Sequence, residues 1–212
     1  YGTETAGDIA ILNGIIQEYK SINPELKFVL FSLFPFYSKT TLKNLNESMQ
    51  ILDYHGKLSY QAAQECDAVV MAGGPLMDIP QTKMIAALFK LFYDQNKPGI
   101  IEGCGIGPLN VEQYRENVIQ IARMASKISV RDSASSELLR KYGIQKKIEL
   151  RTDPSTSFIK SLKFENQTKE KVIRCFLREL TDEYPQGISS ETAFKNITGF
   201  IQKLLKWYPE FS

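Results

Sequence analysis

The stretch Gly99-Ile100-Ile101-Glu102-Gly103-Cys104-Gly105-Ile106-Gly107-Pro108-Leu109 is followed, after a helical interval, by Lys127-Ile128-Ser129-Val130-Arg131-Asp132-Ser133-Ala134-Ser135. Each begins as a short apolar strand, 99–103 and 127–130, and ends in a turn; residues 111–125 between them carry helical period. Repeated βα units of this kind build a parallel sheet. Working outward, further strands are predicted over 28–33, 68–72, 148–151 and 172–177. Most are apolar on both faces, as strands buried between helix layers are. Helices are predicted over 8–19, 39–52, 60–65, 81–96, 111–125 and 133–142. Several open on a capping-type residue, such as Asp132 ahead of Ser133. Gly143 follows Tyr142 where a left-handed C-cap is usual, and Pro98 closes the segment before the next strand. The fold class is therefore α/β, a Rossmann-like parallel sheet flanked by helices.

A chain of 212 residues supports one substantial core. Its 43% apolar and 24% charged residues match soluble globular domains. The net charge of +2 arises from 26 basic and 24 acidic side chains scattered along the chain, so there is no broad positive field for nucleic acid. No apolar run approaches the roughly 20 residues of a transmembrane helix. Cys66, Cys104 and Cys175 are widely spaced, with no CxxC and no nearby histidine, which argues against a disulfide framework or zinc site and fits a reducing cytoplasm. The sequons at Asn46, Asn166 and Asn196 are read as chance. Residues 1–160 are expected to form the Rossmann-like domain, 161–170 a polar linker, and 171–212 the beginning of a second α/β domain too short to close its own core. Tyr1 in place of an initiator methionine, and an amphipathic end over 200–207 before Pro209, suggest that both termini are cut or processed.

Four turns lie where predicted strands or helices meet, and open α/β sheets bind ligands beyond the carboxyl ends of their strands. In the first, Gly2, Gly7 and Asp8 precede a helix. It reads as a tight turn with Asp8 as helix cap, or as a close approach to a ligand in which Asp8 meets a sugar hydroxyl or an arginine. In the second, Gly73 and Gly74 make room for a ligand or a neighbouring backbone, and Asp78 can orient hydroxyls. The third, Gly103 to Leu109, has GxGxG spacing and a proline but no helix opening at once, so it does not fit a dinucleotide loop, and no cofactor is expected. In the fourth, Arg131 leaves a strand as Ser133 and Ser135 enter a helix. That is an anion cradle or, equally, a structural ion pair of Arg131 with Asp132 or Asp153. The lone His55 reads as a surface residue.

In order and spacing, these turns resemble the polysaccharide pyruvyl transferase family over about residues 1–178. The matching features are Gly2, Gly7 and Asp8 before the first helix, then Gly73, Gly74 and Asp78. The Gly-x-Gly-Ile-Gly-Pro-Leu turn at 103–109 follows, then Val130-Arg131-Asp132 with Ser133 and Ser135, Asp153-Pro154, and Arg178. Residues 105–135 are the most diagnostic. Thr5 departs from the pattern, standing where asparagine is frequent.

The resemblance implies one half of a glycosyltransferase-B-like two-domain architecture, in which a histidine and an arginine of the C-terminal domain help handle the donor. It implies transfer of a pyruvyl group from phosphoenolpyruvate to a sugar of a cell-surface polysaccharide or its precursor, forming a ketal. A lipid-linked acceptor would bring the chain only peripherally to a membrane. Arg131 with Ser133 or Ser135 would bind the anionic donor, and Arg178 is a second anion-binding candidate. Gly7, Asp8, Gly73, Gly74 and Asp78 would shape the cleft, and the catalytic acid would lie outside the chain. Two alternatives remain at this stage: a glycosyltransferase using a nucleotide sugar, and a noncatalytic carbohydrate-binding or assembly protein.

Overall fold

Short apolar strands with helices between them have one economical arrangement, strands side by side and helices on both faces, and the chain adopts it. The computed structural model describes residues 5–43, 49–162 and 190–208. In chain order the elements are α1 (Ala6–Ile22), β1 (Phe28–Ser32), α2 (Pro35–Thr41), β2 (Met49–Asp53), α3 (Lys57–Glu65), β3 (Val69–Ala72) and β4 (Pro75–Leu76). They continue with α4 (Thr82–Asp94), β5 (Gly99–Ile106), α5 (Glu112–Met124), β6 (Lys127–Val130), α6 (Ser133–Lys141), β7 (Ile148–Leu150), α7 (Ser155–Ser161) and α8 (Ser190–Trp207). The chain divides into two compact units at Lys163. In the second unit the described element is α8, which carries a run of apolar residues interleaved with Lys195, Lys203 and Lys206. The strand expected over 172–177 lies outside the described residues.

The first unit holds two parallel ladders. One pairs β1 with β2, from Phe28 opposite Met49 to Ser32 opposite Asp53. The other runs β3-β5-β6-β7, with β4 also beside β5. Phe89, Ile101, Cys104, Val118, Ile121, Ile128, Val130 and Leu139 fill the core between this second ladder and α4, α5 and α6. On the opposite face α1 lies against α7. The sheet thus has helices on both faces, a Rossmann-like arrangement.

Two irregularities shape the carboxyl end of the sheet. First, β3 and β4 are one strand bent at Gly73 and Gly74, whose φ angles of 55° and 60° are left-handed. The bend inserts no residue: Ala72 lies opposite Glu102 and Pro75 opposite Gly105, so the same register holds on both sides. Second, β5 carries one more residue than β6 between Ile101 and Cys104. Ile101 pairs with Ile128 and Cys104 with Val130, and Gly103 takes φ 61°. This is a β-bulge, with the left-handed residue a glycine for steric reasons.

One predicted element is corrected. The helix expected over 39–52 is helical only to Thr41, at the end of α2, and is strand β2 from Met49 on. In α2 the hydroxyls of Thr40 and Thr41 donate to the carbonyls of Phe36 and Tyr37, and the helix ends at Thr41. Met49 and Ile51 then point inward with Gln50 exposed between them, the alternation of the edge strand β2. Helix α7 and strand β4 were not foreseen, and β5 runs three residues beyond its predicted end.

Candidate functional site

Gly74, Asp78, Arg131 and Ser135 meet at the turn that leaves β5. Gly105 donates its N–H to the Gly74 carbonyl at 2.9 Å, and Gly107 does the same to Leu76 at 3.0 Å. Over Gly105 lies the Arg131 guanidinium: a β-carbon on Gly105 would stand 2.7 Å from Nη2 and 2.8 Å from Nε. Arg131 leaves β6 with its N–H bonded to the Cys104 carbonyl at 3.1 Å. Its Nη1 is 3.3 Å from Asp153 Oδ2 and its Nε is 3.8 Å from Asp132 Oδ2. The side chain remains 39% exposed. Arg131 therefore makes the structural ion pair and also presents at the strand ends a partly open guanidinium, a group whose planar fork matches carboxylates and phosphates in general.

Asp132 caps α6. Its Oδ1 accepts the Ser135 N–H at 2.7 Å, and this bond, ahead of the nearby Arg131 charge, holds its carboxyl below the usual aspartate value. Ser135 is buried, with its Oγ accepting the Ile106 N–H at 2.8 Å. Its hydroxyl thus ties the β5 turn to α6 and does not open onto solvent. Ser133 is exposed in the first turn of the same helix. Asp78 ties a second loop to the first: its carboxylate accepts the Val111 N–H ahead of α5, and its own N–H donates to the Pro108 carbonyl at 3.1 Å.

The start of α1 lies near the bend at Gly73. The helix begins at Ala6 and is capped by Thr5, whose Oγ1 accepts the Asp8 N–H at 3.2 Å. The cap is thus Thr5, not Asp8. One Asp8 oxygen, Oδ2, is shielded from solvent and has no hydrogen-bond partner among the described residues. Gly7 is exposed beside Thr5. A turn further on, Ile11 presses on Gly73, where a β-carbon would lie 2.3 Å from its Cγ2, whereas Gly74 faces open space. Arg178 lies outside the described residues. His55 is exposed, edge-on to Tyr54.

Sequence reasoning missed a charged cluster beneath this rim. Glu102 is 1% exposed in β5. One of its oxygens accepts from Ser129 Oγ at 3.0 Å and from Arg151 Nη1, and Lys127 is 3.7 Å from the other. Arg151 also reaches Glu18 of α1 at 2.9 Å, and Ser157 of α7 donates to the same glutamate. Tyr19 sits 3.5 Å from Glu102, and burial, reinforced by that carboxylate, pushes its phenol up to about 12. Through Arg151 and Glu18 the cluster ties α1 and α7 to the sheet. The available signal was a glutamate inside an otherwise apolar buried strand, a residue rarely buried without partners.

No described helix is long and apolar enough to cross a membrane. No curated protein and no solved structure matches the chain. A family model does match, described as Polysaccharide pyruvyl transferase and covering residues 6–209. With nearly the whole chain matched, and with the rim of glycine turns and Arg131 arranged as above, this chain belongs to the polysaccharide pyruvyl transferase family.

Proposed function

We propose that the chain forms the donor-side wall of a cytoplasmic enzyme that transfers a pyruvyl group from phosphoenolpyruvate to two hydroxyls of a sugar. The observation that carries this reading is the Arg131 guanidinium, half exposed over the bare backbone of Gly105 at the carboxyl end of a parallel sheet. A planar cation with no side chain beneath it suits a ligand carrying both a carboxylate and a phosphate. Protonation of the donor's methylene carbon gives an oxocarbenium-like centre. One sugar hydroxyl adds there, the carbon–oxygen bond to phosphate breaks, and the second hydroxyl closes the ketal as both hydroxyl protons leave. Such a path needs a proton donor and fixed positive charge.

In this reading Arg131 supplies charge, with Ser133 beside it at the α6 start. Gly74 and Asp8 border the sugar side, and Arg178 is a second anion-binding candidate. The acid belongs to the second domain of a glycosyltransferase-B-like architecture, of which residues 171–212 are the beginning. The acceptor is a cell-surface polysaccharide or its precursor. The test is to incubate the protein, expressed through its full natural reading frame, with phosphoenolpyruvate and candidate nucleotide-linked or lipid-linked sugars. Release of phosphate together with a pyruvyl ketal on the sugar is expected; transfer of a sugar instead overturns the assignment.

A further inference from the structure

Two serines are enclosed beside the tip of β5. Ser129 is 0% exposed in β6, between Ile128 and Val130, and Ser135 is 2% exposed in the first turn of α6. A buried hydroxyl is costly unless it has hydrogen-bond partners to serve. Both serve the same backbone. Ser129 Oγ accepts the Gly103 N–H at 2.9 Å, and Ser135 Oγ accepts the Ile106 N–H at 2.8 Å. Gly105 and Gly107 send their N–H groups elsewhere, to the carbonyls of Gly74 and Leu76. The tip is therefore gripped on one edge by backbone and on the other by two hydroxyls, one on each side of Gly105 in the chain.

Each hydroxyl is itself held from behind. Ser129 donates to Glu102 Oε1 at 3.0 Å, nearer than the Ile101 carbonyl at 3.4 Å, and that carboxylate oxygen also accepts from Arg151. With its proton committed there, the hydroxyl turns its lone pairs to Gly103. Ser135 is fixed by the α6 cap, where Asp132 Oδ1 accepts its N–H at 2.7 Å. The other oxygen of Asp132 is 3.8 Å from Arg131 Nε. A closed circuit results: Gly105 is joined through Ile106, Ser135 and Asp132 to Arg131, whose guanidinium lies back over Gly105. The bulge at Gly103 interrupts the regular ladder just where this circuit begins, so side-chain bonds take over the fixing of the tip.

We infer that Ser129 and Ser135 are positioning residues for the donor, their hydroxyls holding the β5 tip at Gly103 and Ile106 so that the bare backbone of Gly105 meets the Arg131 guanidinium. The inference rests on the donor role given above to Arg131. Both hydroxyls are enclosed, so neither serine touches the ligand. Each acts through Gly105: releasing one flank lets the backbone shift beneath the guanidinium, and the ligand then meets a surface no longer matched to it.

The experiment is calorimetric titration of phosphoenolpyruvate into the protein expressed through its full natural reading frame. The variants are Ser129→Ala, Ser135→Ala, Arg131→Ala and Arg131→Ala combined with Ser135→Ala, at a temperature where circular dichroism shows them folded. Dissociation constant read against stoichiometry separates the roles. Each serine variant is expected to bind at least about fivefold more weakly, the effect of one lost hydrogen bond, at the stoichiometry of the parent. In the Arg131→Ala background, Ser135→Ala should alter the constant less than about twofold. An unchanged constant, with or without fewer binding-competent molecules, makes the serines structural only and overturns the inference. So does a full loss that persists without Arg131. Should Ser129→Ala not fold, Ser135→Ala decides by itself, since it removes one bond at the start of a helix that Asp132 still caps. Failure of the donor reading shows in the parent: a parent that binds no phosphoenolpyruvate removes the role of Arg131 and the positioning role with it.

Discussion

Arg131 Nη1 lies 3.3 Å from Asp153 Oδ2, joining the turn after β6 to the turn after β7. The arginine is 39% exposed, so solvent screens the pair and its worth to the fold is small. Its position over Gly105 is the feature on which the proposed donor role rests. Arg131→Ala should change unfolding free energy by no more than about 1 kcal/mol. Phosphoenolpyruvate affinity, read by calorimetry, should fall at least about tenfold, as for a lost charge-assisted hydrogen bond. Unchanged affinity would remove Arg131 from the donor site.

Gly105→Ala tests the same contact from below. The added methyl meets only the far end of a flexible side chain, with Nη2, Nε and Cζ all within 2.9 Å, so the guanidinium can swing away. The thermal midpoint should therefore move by only a few degrees. Donor affinity should drop toward that of Arg131→Ala, and the double variant should be no weaker than either single one. Additive losses would show that the two residues act separately.

The neighbouring glycines Gly73 and Gly74 provide an internal comparison, since both hold left-handed backbone. Gly74 has open space where a β-carbon would go, so Gly74→Ala bears only the conformational cost, about 1–2 kcal/mol. Gly73→Ala also drives a methyl into Ile11 of α1, and its cost should be larger, about 3 kcal/mol or more. Urea unfolding of the pair decides it; equal losses would mean that α1 gives way freely.

Glu102 and Arg151 should be strongly coupled. Glu102→Gln leaves Arg151 without its buried partner, at a cost of about 2 kcal/mol, below the range for a fully buried pair because Arg151 is 40% exposed and keeps Glu18. Adding Arg151→Met should cost less than the sum of the single changes by more than about 1 kcal/mol in a double-mutant cycle. Strict additivity would contradict the contact.

Asp132 gives a pH dependence of known sign. The Ser135 N–H holds its folded pKa below the ordinary 3.8, so the cap stabilises fully above about pH 4 and is lost as pH falls through the folded value. Asp132→Ala should cost about 1 kcal/mol between pH 5 and 7, and the gap from the parent should close in more acidic solution. A gap independent of pH would assign the effect to something other than the carboxylate.

Legibility in the sequence followed local chemistry. The span 127–130 was readable to the residue because β-branched apolar residues end abruptly at Arg131 and a capping aspartate. The span 39–52 was misread because Leu42, Met49 and Leu52 recur at intervals compatible with a helix, while the alternation of β2 occupies only five residues. The glycine turns were visible as a set. What each glycine touches was not, since Ile11, Arg131 and Pro154 come from distant elements. The roles of Thr5 and Ser135 were likewise hidden, because capping and turn-tying depend on backbone donors that carry no side-chain signature.

The bulge in β5 works as a phase shift. Ile101, Cys104 and Ile106 all enter the same apolar core, although in an unbroken strand Ile101 would lie on the opposite face from Cys104 and Ile106. Without the bulge, regular alternation would keep odd-numbered positions to one side along the whole strand, and Gly105 would follow Ile101 into the core. With it, a single strand shows α1 and α7 a buried glutamate near its middle and Arg131 a patch of bare backbone near its tip. One residue held out of the alternation at Gly103 thus puts the buried Glu102 and the bare backbone of Gly105 on the same face of β5.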